Sequence, residues 1–261
     1  MTALQRPGGE LATRPIHFFW VVDCSGSMYG EKIGIVNNTI QECIPEMRSA
    51  ADNNPNAQLL IRALQFSSGA SWITSSPVPV EDYGWEDMDA NGLTELGKAF
   101  DLLAVQLSIP PMPERALPPV IVLLSDGQPT DDYKKSMDRL KKLPWFRKAV
   151  KIAISIGQDA DDEVLIEFTG NKELVLQANN ATALAKMIKW ASTTASMVSA
   201  PSSKPMNSVS TEATAATAPG TSAVASIPAD DPFAPANNGA PLVLDMSNIP
   251  NPDDFDEGAV W

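Results

Sequence analysis

The chain passes from an apolar run to a polar turn within twelve residues, IHFFWVVDCSGS at positions 16–27. An uncharged run of seven residues that ends directly at Asp23 is typical of a buried parallel strand reaching the edge of its sheet. Loops at the carboxyl ends of such strands converge and bind ligands. Asp23, Ser25 and Ser27 therefore place a carboxylate and two hydroxyls where a hard cation can bind.

Two further stretches bring oxygens to the same predicted edge. The run NGLTELG at 91–97 puts the Thr94 hydroxyl at the start of a helical pattern, and VIVLLSDG at 120–127 ends a second apolar strand at Asp126. Alone, an Asp-x-Ser-x-Ser string is a weak signal, because Asp and Ser also cap helices. Three loops that supply only oxygens favour Mg²⁺, Mn²⁺ or Ca²⁺ over zinc or copper.

In order and spacing, these residues resemble the metal-ion-dependent adhesion site (MIDAS) of von Willebrand factor type A (VWA) domains, over about residues 14–195. The resemblance implies that Ser25, Ser27 and Thr94 coordinate the cation through their hydroxyls. It also implies that Asp23 and Asp126 act directly or through bound water. A Glu or Asp of a protein partner would then fill the open coordination position.

Within that family, the run from Trp85 to Thr94 resembles the bacterial TerY-like branch, which is linked to tellurium resistance. This finer resemblance implies a scaffold in a stress-response or metal-resistance system, with a protein kinase and a PP2C-type phosphatase as partners. Many members of the branch carry a zinc-binding segment after the domain. This chain has no cysteine after Cys43, so the zinc-binding pattern is absent from its sequence. An acidic tail occupies the corresponding part of the chain.

Alternating strand and helix patterns predict an α/β fold, with a three-layer, doubly wound, mostly parallel sheet. One antiparallel edge strand is expected, because a turn at Ser67-Ser68-Gly69 joins two apolar runs. Residues 75–91, rich in prolines and acids, are expected to form a surface loop. The predicted strands are 15–22, 58–66, 70–74, 120–124, 150–156 and 173–177, and the predicted helices are 31–51, 94–107, 131–143, 161–168 and 182–195.

Composition divides the chain into four parts, of which residues 14–195 form the domain. Residues 1–13 are an N-terminal extension. Residues 196–229 form a linker rich in Ala, Ser, Thr and Pro, which we predict to be disordered because it lacks apolar periodicity. Residues 230–261 are an acidic tail. From Pro201 onward a single lysine accompanies eight acidic residues, a net charge of −7.

Large apolar residues recur among the acids of this tail, at Leu242, Leu244, Phe255 and Trp261. A few buried anchors carry most of the energy of a docking segment, so these four residues are candidate partner contacts. Trp85, upstream of Thr94, is a further candidate. The alternative is that the tail only solubilises the protein and its apolar residues are incidental.

Several classes of function are disfavoured. The net charge of −13 and the lack of clustered basic residues in the tail argue against nucleic-acid binding. Since no signal peptide or long apolar segment is evident, we expect a cytoplasmic protein without a membrane contact. Cys24 and Cys43 are too far apart along a helix to pair. His17, the only histidine, is expected to be a core residue of the first strand.

We expect a noncatalytic protein. The main alternative is a Mg²⁺-dependent phosphatase or phosphotransferase that uses Asp23 as nucleophile. Such enzymes place a second acid two residues later, where this chain has Ser25, and a hydroxyl is a poor general acid at neutral pH. The other alternative is a structural subunit in which the metal loop only braces the fold.

Overall fold

A computed structural model describes residues 14–52, 57–157, 160–189, 224–225 and 242–243 of the 261-residue chain. The strands of the main sheet are β1 (Arg14–Asp23), β2 (Ala57–Ser67), β3 (Gly69–Trp72), β4 (Val78–Pro79), β5 (Val120–Ser125), β6 (Val150–Ile156) and β7 (Val175–Ala178). Their order in the sheet is β3-β2-β1-β5-β6-β7, and β4 pairs with β2.

Five of these strands, β2, β1, β5, β6 and β7, run parallel to one another, while β3 and β4 both pair antiparallel with β2. The predicted fold class and its antiparallel edge are therefore confirmed. The helices are α1 (Glu31–Asp52), α2 (Leu96–Gln106), α3 (Tyr133–Lys141), α4 (Pro144–Lys148), α5 (Asp162–Thr169) and α6 (residues 181–189).

Alternate residues of β1 point into two separate cores. Phe18 and Trp20 pack with α1 and α6 on one face of the sheet. Phe19 and Val21 pack with the helices α2 to α5 on the other face. Because both faces of the sheet are covered by helices, the sequence of β1 is continuously apolar and does not alternate. The carboxyl end of β1, at Asp23, lies between the two helical layers.

The structure adds to the predicted elements in two places. The predicted helix 131–143 is α3, and a separate short helix, α4, follows it with Pro144 at its first turn. The expected surface loop 75–91 contains β4 and buries Val80, Tyr83 and Met88 against α1. The Arg48 guanidinium donates hydrogen bonds to the carbonyls of Val80 and Tyr83. These contacts bind the loop to the domain despite its polar composition.

Outside the domain, β8 (Val224–Ala225) and β9 (Leu242–Val243) pair antiparallel. The predictions for the extension 1–13 and for the rest of the linker 196–229 and tail 230–261 lie outside the described residues. Within the described part of the chain, no helix is both long enough and apolar enough to cross a lipid bilayer.

Candidate metal centre

Asp23 lies at the carboxyl end of the central strand β1 and is fully buried. Its Oδ1 accepts a hydrogen bond from the Ser25 backbone N–H at 2.9 Å, and its Oδ2 accepts one from Ser125 Oγ at 2.6 Å. Burial raises the pKa of Asp23, these hydrogen bonds oppose the rise, and the nearby charge of Asp126 adds to it. Asp23 therefore holds the loop that follows it in a fixed conformation.

The two serines of that loop lie side by side. Ser25 Oγ and Ser27 Oγ are 3.0 Å apart, and Ser27 Oγ donates a hydrogen bond to Asp126 Oδ1 at 2.7 Å. Ser27 and Asp126 are 99 residues apart in sequence. They meet because β1 and β5 are parallel neighbours and end at the same edge of the sheet.

Thr94 reaches the same cluster from the loop before α2 and is buried. Its backbone N–H donates to Thr130 Oγ1 at 3.1 Å, and the Thr130 N–H donates to the Thr94 carbonyl at 2.9 Å. A Cβ placed on Gly127 would lie 3.6 Å from both Ser27 Oγ and Thr94 Oγ1. Ser27 and Thr94 therefore both place a hydroxyl beside Gly127. Ser25 and Asp126 contact Ser27, and Asp23 is linked to this group through the Ser25 backbone.

A backbone contact joins the first two of these loops, since the Gly26 N–H donates to the Gly92 carbonyl at 3.0 Å. Gly92 has a φ of +79°, and a Cβ there would lie only 2.5 Å from Ser68 Oγ. The positive φ therefore favours glycine at position 92, and a larger residue would also displace the Ser68 hydroxyl. Its presence keeps Thr94 close to the serine loop.

Lys32, in the first turn of α1, was not anticipated as part of this cluster. Its ammonium group lies 2.6 Å from Asp126 Oδ2, and both side chains are largely or fully buried. A sequence signal for it exists, because a lysine five residues after Ser27 at a helix start can reach a carboxylate at the end of the neighbouring strand. Ser125 and Asp131 were likewise missed as supporting residues.

Asp131 anchors α2, although the sequence suggested that it begins α3. Its carboxylate accepts hydrogen bonds from the backbone N–H groups of Gly97 and Lys98, at 3.0 and 3.2 Å. Both donors belong to the first turn of α2, and the Lys98 N–H also donates to the Glu95 carbonyl at 3.2 Å. Asp131 thereby fixes the helix start that follows Thr94.

The residues present fit a hard divalent cation. Two carboxylates and three hydroxyls form the cluster, and oxygen ligands are those that Mg²⁺, Mn²⁺ and Ca²⁺ prefer. Burial raises the pKa of the Cys24 thiol to about 12, so this residue is a neutral thiol and a poor ligand. Among the described residues, no group of three or more His, Cys, Asp or Glu side chains is placed to bind a metal, so a cation in this cluster depends on the hydroxyls as well as the two carboxylates.

Of the predicted partner contacts, Trp85 lies within the described residues and does not join this cluster. Trp85 is half-buried against the core, and its indole N–H donates to Asn37 Oδ1 of α1 at 3.1 Å. Leu244, Phe255 and Trp261 lie outside the described residues, and of Leu242 only the backbone strand is described. Partner binding by these residues remains a prediction.

Known proteins were compared at the levels of sequence and fold. No family model matches the chain, and no curated protein is similar to it in sequence. A D319A mutant of the PilB minor pilin from Streptococcus sanguinis matches with 15% identity and a TM-score of 0.54, covering 76% of this chain and 64% of that one. A von Willebrand factor type A structure from Catenulispora acidiphila matches with 15% identity and a TM-score of 0.51, covering 70% and 43%.

The chain has the fold of a VWA domain. Proximal thread matrix protein 1 from the mussel byssus, in a structure with a zinc-occupied MIDAS motif, matches with 18% identity and a TM-score of 0.52. That match covers 71% of this chain and 46% of the mussel chain. This chain thus spans less than half the length of the mussel and Catenulispora proteins.

Proposed function

We propose that the protein is a noncatalytic, metal-dependent interaction module. In this proposal a divalent cation is held by Asp23, Ser25, Ser27, Thr94 and Asp126, and it binds a carboxylate of a protein partner. The observation that carries the proposal is the bridge from Ser25 Oγ through Ser27 Oγ to Asp126, which joins two of the three loops in one oxygen cluster. The zinc-occupied MIDAS of the mussel protein supports a cation at the equivalent edge of this fold.

The charge of the cluster favours an anionic partner group. Two carboxylates balance a divalent cation, and the Lys32 ammonium group, 2.6 Å from Asp126, adds one further positive charge. The loaded site would therefore be electropositive in a partly buried setting, where Coulomb attraction is stronger than in water. A Glu or Asp side chain of a partner fits this site.

The rim of the cluster is also suited to protein contact. Tyr29 follows the serine loop and is 80% exposed, and Leu93 precedes Thr94 and is 55% exposed. Exposed aromatic and aliphatic side chains beside a polar group are typical of interface anchors. A partner segment with apolar residues on either side of its acid would contact both.

The environment of Asp23 argues against the phosphotransferase alternative. Both of its carboxylate oxygens accept hydrogen bonds, and the side chain is fully buried. A nucleophile must instead present an oxygen to the reacting phosphorus. Asp23 is better suited to holding the serine loop, which supports a binding role.

The structural-subunit alternative has one observation in its favour. The Lys32 ammonium group already neutralises Asp126 and can brace the loops without any metal. In that case the cluster would be a buried ion pair with supporting hydroxyls. Direct titration with a metal separates this alternative from the proposal.

The test is a titration with Mn²⁺, followed by electron paramagnetic resonance, of the full chain and of a Ser25→Ala/Ser27→Ala variant. We expect one bound ion in the wild type and a loss of affinity of at least about tenfold in the variant. Ser76→Ala, at an exposed serine outside the cluster, is the matched control. If the wild type binds no Mn²⁺, or if the wild type and the double variant bind Mn²⁺ with the same affinity, the metal centre is ruled out. The structural-subunit alternative would then be favoured.

We also propose the narrower TerY-like role, with a protein kinase and a PP2C-type phosphatase as partners in a stress or metal-resistance system. The support for this role is the resemblance of the motif alone. Affinity purification of tagged wild-type protein, with and without a chelator, tests it. Chelator-sensitive recovery of a kinase or phosphatase would support the role, and chelator-insensitive recovery would contradict it.

A further inference from the structure

A second candidate site lies at the opposite edge of the sheet, where the parallel strands begin. A cavity of about 70 Å³ is bounded by the start of β1, the loop before β5 and the short helix α4. Its lining includes Arg14, Ile109, Pro144, Trp145 and Lys148. A cavity that encloses a benzene ring has a volume of about 150 Å³, so this cavity admits only part of an aromatic side chain.

Trp145 forms an aromatic part of the cavity lining. The residue is 7% exposed, and its indole nitrogen is buried away from the cavity. Trp145 therefore offers a ligand the face of its ring as an apolar surface.

Positive charge surrounds the apolar lining. The Arg14 guanidinium is held in place by hydrogen bonds to the carbonyls of Arg115 and Ala116, at 3.0 and 2.9 Å. Lys148 supplies a second cation, and Glu114 is the acidic residue of the lining. The lining therefore has a net charge of +1 in a protein whose overall charge is −13.

The surface next to the cavity is basic as well. Eight of the 19 lysines and arginines fall within residues 134–151. Lys142 and Arg147, which flank Pro144 and Trp145 in sequence, are exposed. Neither makes an ion pair within the described residues. An acidic ligand with an apolar anchor matches both the cavity and this surface.

The same chain contains such a ligand in its tail. In the segment DDFDE at 253–257, two acidic residues precede Phe255 and two follow it. The 65 residues between Lys189 and Phe255 can span on the order of 200 Å when extended. A domain of this size is about 40 Å across, so the segment can reach the cavity.

We propose that the cavity beside Trp145 is a docking site for residues 253–257 of the same chain. The ring of Phe255 packs into the mouth of the cavity against Trp145. The neighbouring carboxylates lie against the exposed cations Arg14, Lys142 and Arg147. This site is separate from the metal centre and does not depend on it.

Hydrogen–deuterium exchange of the full chain tests the docking. In a Phe255→Ala variant we expect exchange in residues 109–118 and 144–149 to become about tenfold faster, as docking protection is lost. Phe233→Ala is the matched control, since Phe233 has acids on one side only. Equal exchange in the Phe255→Ala variant and the wild type would overturn the proposal.

A variant on the cavity side provides an independent test. Ile109 is 49% exposed, so Ile109→Glu places a repelling charge at the cavity without removing a core residue. We expect faster exchange in residues 250–261, whereas Val105→Glu, at a 66% exposed position outside the lining, should not change it. Unchanged exchange in residues 250–261 of the Ile109→Glu variant would contradict the proposal. If the protection from exchange depends on protein concentration, the tail docks on a second copy of the chain and not on its own domain.

Discussion

The Lys32 ammonium group and the Ser27 hydroxyl contact different oxygens of Asp126. Lys32 Nζ lies 2.6 Å from Oδ2, and Ser27 Oγ lies 2.7 Å from Oδ1. One buried carboxylate thus joins the serine loop to the start of α1. Any cation that binds Asp126 must share that carboxylate with Lys32, so Lys32 should influence both metal affinity and partner affinity.

Replacing Lys32 by Gln should increase the affinity for Mn²⁺ by about tenfold, because a like charge beside the cation is removed. Without metal, the variant should melt at a lower temperature than the wild type, since Asp126 loses its buried partner. Mn²⁺ titration and thermal melting measure the two effects. Lys135→Gln, at an exposed lysine of α3, is the control, and unchanged Mn²⁺ affinity in Lys32→Gln would show that the ammonium group does not compete.

Replacing Thr94 by Val removes one hydroxyl and preserves the shape of a buried side chain. We expect Mn²⁺ affinity to fall about tenfold while the melting temperature changes little. Partner recovery should fall in the same variant. Thr39→Val is the control, because it is the same substitution at a buried position in α1, and it should leave metal binding unchanged. If both variants bind Mn²⁺ equally well, Thr94 is not a ligand.

Replacing Asp131 by Ala should lower the free energy of unfolding by about 1–2 kcal/mol, because the Gly97 N–H loses its acceptor and the Lys98 N–H keeps only the Glu95 carbonyl. Metal affinity should also weaken, since α2 directly follows the Thr94 loop. Urea denaturation measures the first effect and Mn²⁺ titration the second. Asp132→Ala, at the neighbouring acid, should change neither, and an equal loss in both variants would contradict the anchoring role.

Acid should destabilise the protein through His17. This histidine is buried in β1 without a hydrogen-bond partner at either ring nitrogen, and burial lowers its pKa to about 4. Between pH 6.5 and 4 the unfolded chain binds a proton that the folded chain does not. The stability associated with neutral His17 is therefore lost as the pH falls through this window, by up to about 3 kcal/mol.

The His17→Leu variant isolates that effect, because it lacks the titrating group at the same core position. Urea denaturation of wild type and variant at pH 7 and pH 4 should show a smaller loss of stability in the variant. An equal loss in the two proteins would assign the acid sensitivity to other groups.

Much of the metal centre could be predicted from local sequence. Apolar runs that stop at Asp23 and Asp126 identify the ends of two buried strands, and parallel strands end at one edge of a sheet. The two strand-end inferences need only a few neighbouring residues. The assignment of the Ser25, Ser27 and Thr94 hydroxyls as candidate ligands rests in addition on the resemblance of their order and spacing to the MIDAS motif.

Other features depend on side chains from segments that are distant in sequence. Ser125 supports Asp23 across 102 positions. Asp131 binds the start of α2 across 34 positions. The loop 75–91 looked exposed by composition, but its few apolar residues cover α1. The apolar periodicity of a segment predicts whether the segment is a helix or a strand, but it does not specify which distant element the segment contacts.

The amino-acid sequence by itself determined the alternation of strands and helices, the oxygen ligands at two strand ends and the acidic character of the tail, because apolar periodicity and turn chemistry are local properties. The tertiary structure alone decided that Lys32 neutralises Asp126 and that Trp145 lines a cavity beside Arg14. Those pairings follow from strand order and register, which bring together residues 94 positions apart in the first case and 131 in the second.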